Sequence, residues 1–216
     1  MSKIAIYTCI TGGYDTPCDN FGHVDGFDYI LFSDTKIKTK SWNNVIVNYN
    51  TKTLSNVKKQ RLVKVQPHKF VGKYDIVVWV DANTNINKKL YDYIDKHKND
   101  SITFKKHPER DCIYDEIDIV KKVNKEKSDL CDLLKRRYEE EGLPHKNGLF
   151  ETNIIISKPN NERVRELFNR WWNEIYKNSH RDQFSLNYVI WKYNLKGVVT
   201  VDDTNDFKAM PHKRLK

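Results

Sequence analysis

The chain has 216 residues, 38% of them hydrophobic and 12% aromatic, with a formal net charge of +9. That balance suits a globular domain with a full core and excludes a disordered tail. No apolar run approaches the roughly 20 residues of a membrane span, and a strand-like pattern begins at Lys3, so neither a span nor a secretory leader is expected, which points to the cytoplasm.

Residues 3–10 form an apolar strand pattern that ends in Thr-Gly-Gly-Tyr-Asp at 11–15. Paired glycines permit a tight turn or the close approach of backbone to a ligand, and both readings stand; the spacing is not the dinucleotide fingerprint. Residues 27–32 and 44–47 are further strands. Helical spacing over 54–70 places Leu54, Val57, Arg61, Leu62 and Val65 on one face, with Thr53 or Ser55 as cap and Pro67 as the stop. A guanidinium on an apolar face requires an anion. For Arg61 that is either a structural carboxylate or a ligand phosphate.

The run 75–83 (D-I-V-V-W-V-D-A-N) reads as a strand buried on both faces. Ligands in open α/β sheets sit beyond the carboxyl ends of such strands, where this chain places Asp81 and Asn83. A helix over 87–98, a strand over 101–104, a polar loop at 107–111 and two charged, peripheral-looking helices at 113–125 and 128–141 follow. Residues 148–156 form another buried strand, with Glu151, Thr152 and Asn153 ahead of its apolar half. Asn160 or Asn161 caps an amphipathic helix whose stripe is Val164, Leu167, Phe168, Trp171, Trp172 and Ile175, with the tryptophans as core. Ser179 opens a helix over 184–193, with Asp182 in its first turn, where a carboxylate complements the helix dipole. A strand at 197–201 leads to an Asp-rich turn at 202–206. The four cysteines (Cys9, Cys18, Cys112, Cys131) show no C-x-x-C or zinc spacing and are expected to stay reduced.

Alternating strands and helices imply an α/β fold. Two side chains one residue apart on extended chain lean the same way, so Asp81 and Asn83 can share a hard divalent cation completed by substrate phosphates. At this point the sequence resembles GT-A-fold, metal-dependent glycosyltransferases, in which D-x-D closes such a strand. The combination C-I-T-G-G-Y-D, P-H-K, W-V-D-A-N, H-P-E-R and E-T-N…R-D-Q is similar to a glycosyltransferase-like domain of plants and bacteria. It is also similar to the N-terminal domain of a chlorella-virus protein that glycosylates the capsid.

That resemblance implies a single GT-A-like domain over residues 1–216, with a central, mostly parallel mixed sheet flanked by helices; the abrupt end would suit a piece of a longer chain. It implies a UDP-sugar donor of glucose or rhamnose type, a glycan or glycoprotein acceptor, retention if the chain is family-8-like, Mn2+ or Mg2+, and a monomer in the cytoplasm, host cytoplasm if viral. Nucleotide and donor contacts would come from Thr8, Tyr14, Asp34, Arg61, Asp81, Ala82, Asn83, Asn153 and Gln183. Asp182 and Glu151 would be the catalytic carboxylates, and His212 would join Asp81 and Asn83 at the metal. Asn83 departs from the acidic pattern and supplies less charge. Two alternatives use the same features: a sugar nucleotidyltransferase, disfavoured because no lysine follows Gly12-Gly13, and a basic nucleic-acid-binding module, disfavoured because lysines and aromatics do not interleave in a stripe.

Overall fold

A computed structural model describes residues 2–48, 53–204, 207, 210 and 211. Its strands are β1 (Ile4–Ile10), β2 (Phe27–Ser33), β3 (Asn43–Ile46), β4 (Ile76–Val80), β5 (Ile102–Lys106), β6 (Phe150–Ser157) and β7 (Val199–Asp202). They form a seven-stranded sheet in the order β3-β2-β1-β4-β6-β5-β7. β6 runs antiparallel to β4 and β5; the other pairings are parallel. This mixed sheet with flanking helices is an α/β, GT-A-like fold.

The apolar strands are buried on both faces. Val77 and Trp79 of β4 enter one core cluster, and Ile76, Val78 and Val80 the other. β1 divides likewise, with Ala5, Tyr7 and Cys9 on one side and Ile6 and Ile10 on the other. The first cluster is covered by α1 (Asn56–Val65), α4 (Ile113–Lys122), α5 (Ser128–Glu140), α6 (Glu162–Lys177) and α7 (Leu186–Lys192). The second lies under α3 (Lys88–His97), Trp42 and Phe207. From β1 the chain builds outward to β2 and β3, then crosses back to β4 on β1's other side. The strand order therefore reverses between β1 and β4, and ligands of open α/β sheets sit beyond the carboxyl ends of the strands at such a reversal.

Several boundaries differ from the sequence reading. Pro67 does not end the helical region but sits at the first position of a short second helix, α2 (Pro67–Phe70), where a missing N–H is harmless. On α1, capped by Ser55, the buried residues are Val63, Lys64 and Val65, while Val57 is 38% exposed. α4 and α5 are not peripheral: Tyr114, Ile117, Cys131, Leu134 and Tyr138 belong to the main core. Asn161 caps α6, and Trp171 is buried while Trp172 is half-buried. Ser179 caps no helix; a 3-10 turn, Asp182–Phe184, precedes α7. None of the four cysteines is joined in a disulfide. No helix among the described residues is long and apolar enough to cross a membrane.

Candidate active site

The carboxyl end of β4 places Asp81 at the strand-order reversal. Its backbone N–H donates to Asn153 O at 2.8 Å, tying it to β6. Its Oδ1 accepts from Trp79 Nε1 at 2.9 Å, and the side chain is 34% exposed. The decisive neighbour is Lys64 of α1, which the sequence reading did not single out. Its ammonium, 1% exposed, lies 2.6 Å from Asp182 Oδ2, 3.5 Å from Asp81 Oδ1 and 3.1 Å from Thr152 Oγ1. The Trp79 ring lies 5.4 Å below it. Arg61 Nε, one helical turn earlier, is 3.5 Å from the same Asp182 oxygen and donates to His180 O at 3.2 Å. The anion that Arg61 requires is thus a protein carboxylate.

Asp182 is a buried anion rather than a simple dipole partner. Thr152 Oγ1 donates to it at 3.0 Å. Burial alone raises a carboxyl's pKa, but the charges of Arg61 and Lys64, with hydrogen bonds from Lys64 and Thr152, hold Asp182 far below the usual carboxylate range. Glu151 is separate: its Oε2 takes Lys105 Nζ at 2.7 Å, and that lysine is itself buried. The β5–β6 register breaks here, Phe104 pairing with Ile155 but Lys105 with Glu151. Such irregularities re-aim side chains near functional sites, and this one displaces the Glu151-Thr152-Asn153 segment from a regular ladder.

On the β1 side, Gly12 and Gly13 adopt positive φ of 63° and 62°. Gly12 N–H donates to Asp34 Oδ2 at 2.8 Å, joining the loop after β1 to the end of β2. Tyr14 is 54% exposed. Three of the residues assigned to the nucleotide or donor (Thr8, Asp34 and Asn153) carry a buried oxygen with no hydrogen-bond partner among the described residues, at Oγ1, Oδ1 and Oδ1 respectively. Buried orphans of this kind are rare in folded proteins and require an explanation. Ala82 contributes its carbonyl, which accepts from Cys18 N–H at 2.7 Å, and Gln183 Nε2 donates to Phe150 O at 3.1 Å.

Asn83 is buried, and its amide nitrogen donates to Met210 O. Its Oδ1 makes no hydrogen bond among the described residues. Asp81 and Asn83 each carry a side-chain oxygen of the hard type that small divalent cations take. No group of three His, Cys, Asp or Glu side chains that could hold a metal occurs among the described residues. His212 lies outside them. The loop at 107–110 is folded on itself: His107 Nδ1 accepts the Glu109 and Arg110 N–H groups at 3.2 Å each, and Arg110 Nε pairs with Glu116 at 2.7 Å.

Residues 30–213 match the TOD1/MUCI70 glycosyltransferase-like domain. The chain belongs to this family. Comparison with curated proteins returns no similar sequence. The TOD1/MUCI70 match contains Asp34, Arg61, Lys64, Asp81, Asn153 and Asp182 but begins within β2, so Thr8 and the Gly12–Gly13 loop precede it.

Proposed function

We propose that this chain is a metal-dependent glycosyltransferase that moves a hexosyl unit from a UDP-sugar to a glycan or glycoprotein acceptor. The observation that supports it is the set of buried oxygens of Thr8 in β1, Asp34 just after β2 and Asn153 in β6 that have no hydrogen-bond partner among the described residues. In this reading Asp34 Oδ1 accepts the uracil N3 proton, and the exposed Tyr14 ring stacks on the base. Thr8 and Asn153 supply the remaining polar contacts, with Gln183 near the donor sugar. Asp81 and Asn83, joined by His212, would hold Mn2+ or Mg2+, which when bound neutralises charge on the diphosphate.

The protein's own contribution is electrostatic preorganisation. Lys64 and Arg61 place positive charge beside the leaving group, and Asp182 keeps both in position. Asp182 and Glu151 are each paired with a lysine. In this reading they orient the donor sugar and stabilise positive charge at its anomeric centre. Retention of anomeric configuration is what the family-8 resemblance implies.

The test is UDP release from a panel of UDP-sugars with and without manganese. One donor is expected to be turned over, and Asp81→Ala is expected to lower that rate by about 10²-fold or more. Turnover of no donor, or an Asp81→Ala protein as active as the parent, overturns the reading.

A further inference from the structure

Trp79 is the one aromatic residue of β4, and the reaction above gives it no task. It stands two residues before Asp81, and residues i and i+2 of an extended segment project to the same face. Val78 and Val80, between and beside them, enter the opposite core cluster from Trp79.

The indole is locked by its neighbours. It is 1% exposed. Tyr7 of the adjoining β1 meets it edge-on, with ring centroids 5.3 Å apart and planes at 75°, and the Tyr7 hydroxyl donates to Lys64 O at 3.0 Å. The Lys64 ammonium lies 5.4 Å from the indole centroid, and indole is the side-chain ring that attracts a cation most strongly.

A buried indole N–H needs an acceptor, and Trp79 Nε1 finds it in Asp81 Oδ1 at 2.9 Å. Lys64 Nζ approaches the same oxygen at 3.5 Å. Asp81 Oδ2 makes no hydrogen bond or ion pair among the described residues. The Asp81 backbone is fixed too, its N–H donating to Asn153 O and its carbonyl accepting the Thr84 N–H, both at 2.8 Å. The Asp81 side chain is 34% exposed, against 1% for Lys64 and 6% for Asp182, so of these three charges it alone is reachable by a ligand.

We propose that Trp79 is a positioning residue of this site: its N–H commits Asp81 Oδ1 to the protein and leaves Oδ2 as the carboxylate oxygen that takes a divalent cation. This rests on the metal-dependent glycosyltransferase reading. A charge-assisted hydrogen bond fixes the rotation of the carboxylate. The cation then meets an oxygen already in place, on a side chain whose support is itself locked by packing. Through its ring face Trp79 also keeps the Lys64 ammonium beside Oδ1, on the side away from Oδ2. Outer-shell partners of this kind typically contribute about 10–100-fold in metal affinity.

The experiment measures Mn2+ affinity in the presence of UDP by electron paramagnetic resonance, and follows the indole N–H signals of isotope-labelled, UDP-bound protein by NMR as Mg2+ is added. Of the five tryptophans, Trp79 is identified by the signal that Trp79→Phe lacks, and Mg2+ is expected to move that signal more than the other four. Trp79→Phe is expected to bind Mn2+ about 10-fold more weakly or worse. So is a protein carrying benzothienylalanine at position 79, which keeps the shape and face of the indole and lacks its N–H. A ring that only packs the core would leave the Mn2+ affinity of this second protein at the parent's value. Parent-like Mn2+ affinity in the benzothienylalanine protein, or a Trp79 signal that Mg2+ leaves in place, overturns the proposal. A parent protein that binds no Mn2+ with UDP overturns the reading beneath it, and the proposal with it.

Discussion

At the residue scale the site is organised by a lysine. Burying an ammonium is unfavourable unless partners replace its hydration, and Lys64 has Asp182, Asp81, Thr152 and the Trp79 ring. Nothing in the sequence distinguishes it from Lys58 or Lys59 on the same helix. The apolar spacing instead placed Val57 inward, because helical periodicity weighs apolar residues and has no way to recognise a cation whose partners arrive from 17 to 118 positions away. Asp81, by contrast, was legible, since a charged residue directly after five apolar ones marks a strand end. Removing one partner of a buried ion pair leaves the other charge uncompensated, so Lys64→Met is expected to destabilise the fold by about 3–5 kcal/mol. Urea denaturation at neutral pH measures this. A loss below about 1 kcal/mol would mean that Arg61 alone suffices for Asp182.

At the element scale the strands were legible and their directions were not. β1, β4 and the Ile154–Ile156 half of β6 are near-continuous apolar runs because both sheet faces are covered, and that leaves a local signature. β6 runs against its neighbours because of non-local pairing with β4 and β5, which no local pattern encodes. The same holds for α4 and α5, whose charged outer faces concealed the buried stripe of Tyr114, Ile117, Leu134 and Tyr138. The loop after β1 gives an element-scale prediction. A Cβ on Gly12 would lie 2.0 Å from Asn56 Nδ2, at a φ of +63° that disfavours side chains. Asn56 begins α1, and its carbonyl accepts Thr11 Oγ1 at 2.6 Å, so either the Asn56 side chain or the loop must shift. Gly12→Ala is expected to cost about 1–2 kcal/mol in backbone strain and to weaken UDP binding about tenfold or more. Paired urea and UDP titrations check both, and parent-like affinity would remove the loop from the nucleotide site.

At the scale of the whole molecule, two buried carboxylates join distant parts of the fold. Asp182 links α1, β6 and the turn before α7. Asp202, at the end of β7, takes His97 Nε2 of α3 at 2.8 Å, the Thr204 N–H at 2.7 Å and the Lys96 ammonium. Both carboxyls are held well below the usual range, against the upward push of burial: Asp182 by Arg61 and Lys64, Asp202 by hydrogen bonds from Lys96, Thr204 and His97. A carboxyl depressed in the folded state contributes its full stability above the unfolded pKa, about 3.9 for Asp, and loses it as pH falls through the folded value. Each should therefore steepen acid destabilisation by up to about 1.4 kcal/mol per pH unit below about pH 4. Asp19, Asp100, Glu126 and Glu141 are lowered too and add smaller shares. Asp202→Asn is expected to lower stability at pH 7, by stripping Lys96 and His97 of their shared partner, yet to flatten the decline between pH 4 and pH 3 relative to the parent. Urea midpoints across that range separate the two effects. An Asp202→Asn protein whose stability falls as steeply as the parent's would place the acid sensitivity at Asp182 and the other lowered carboxyls instead.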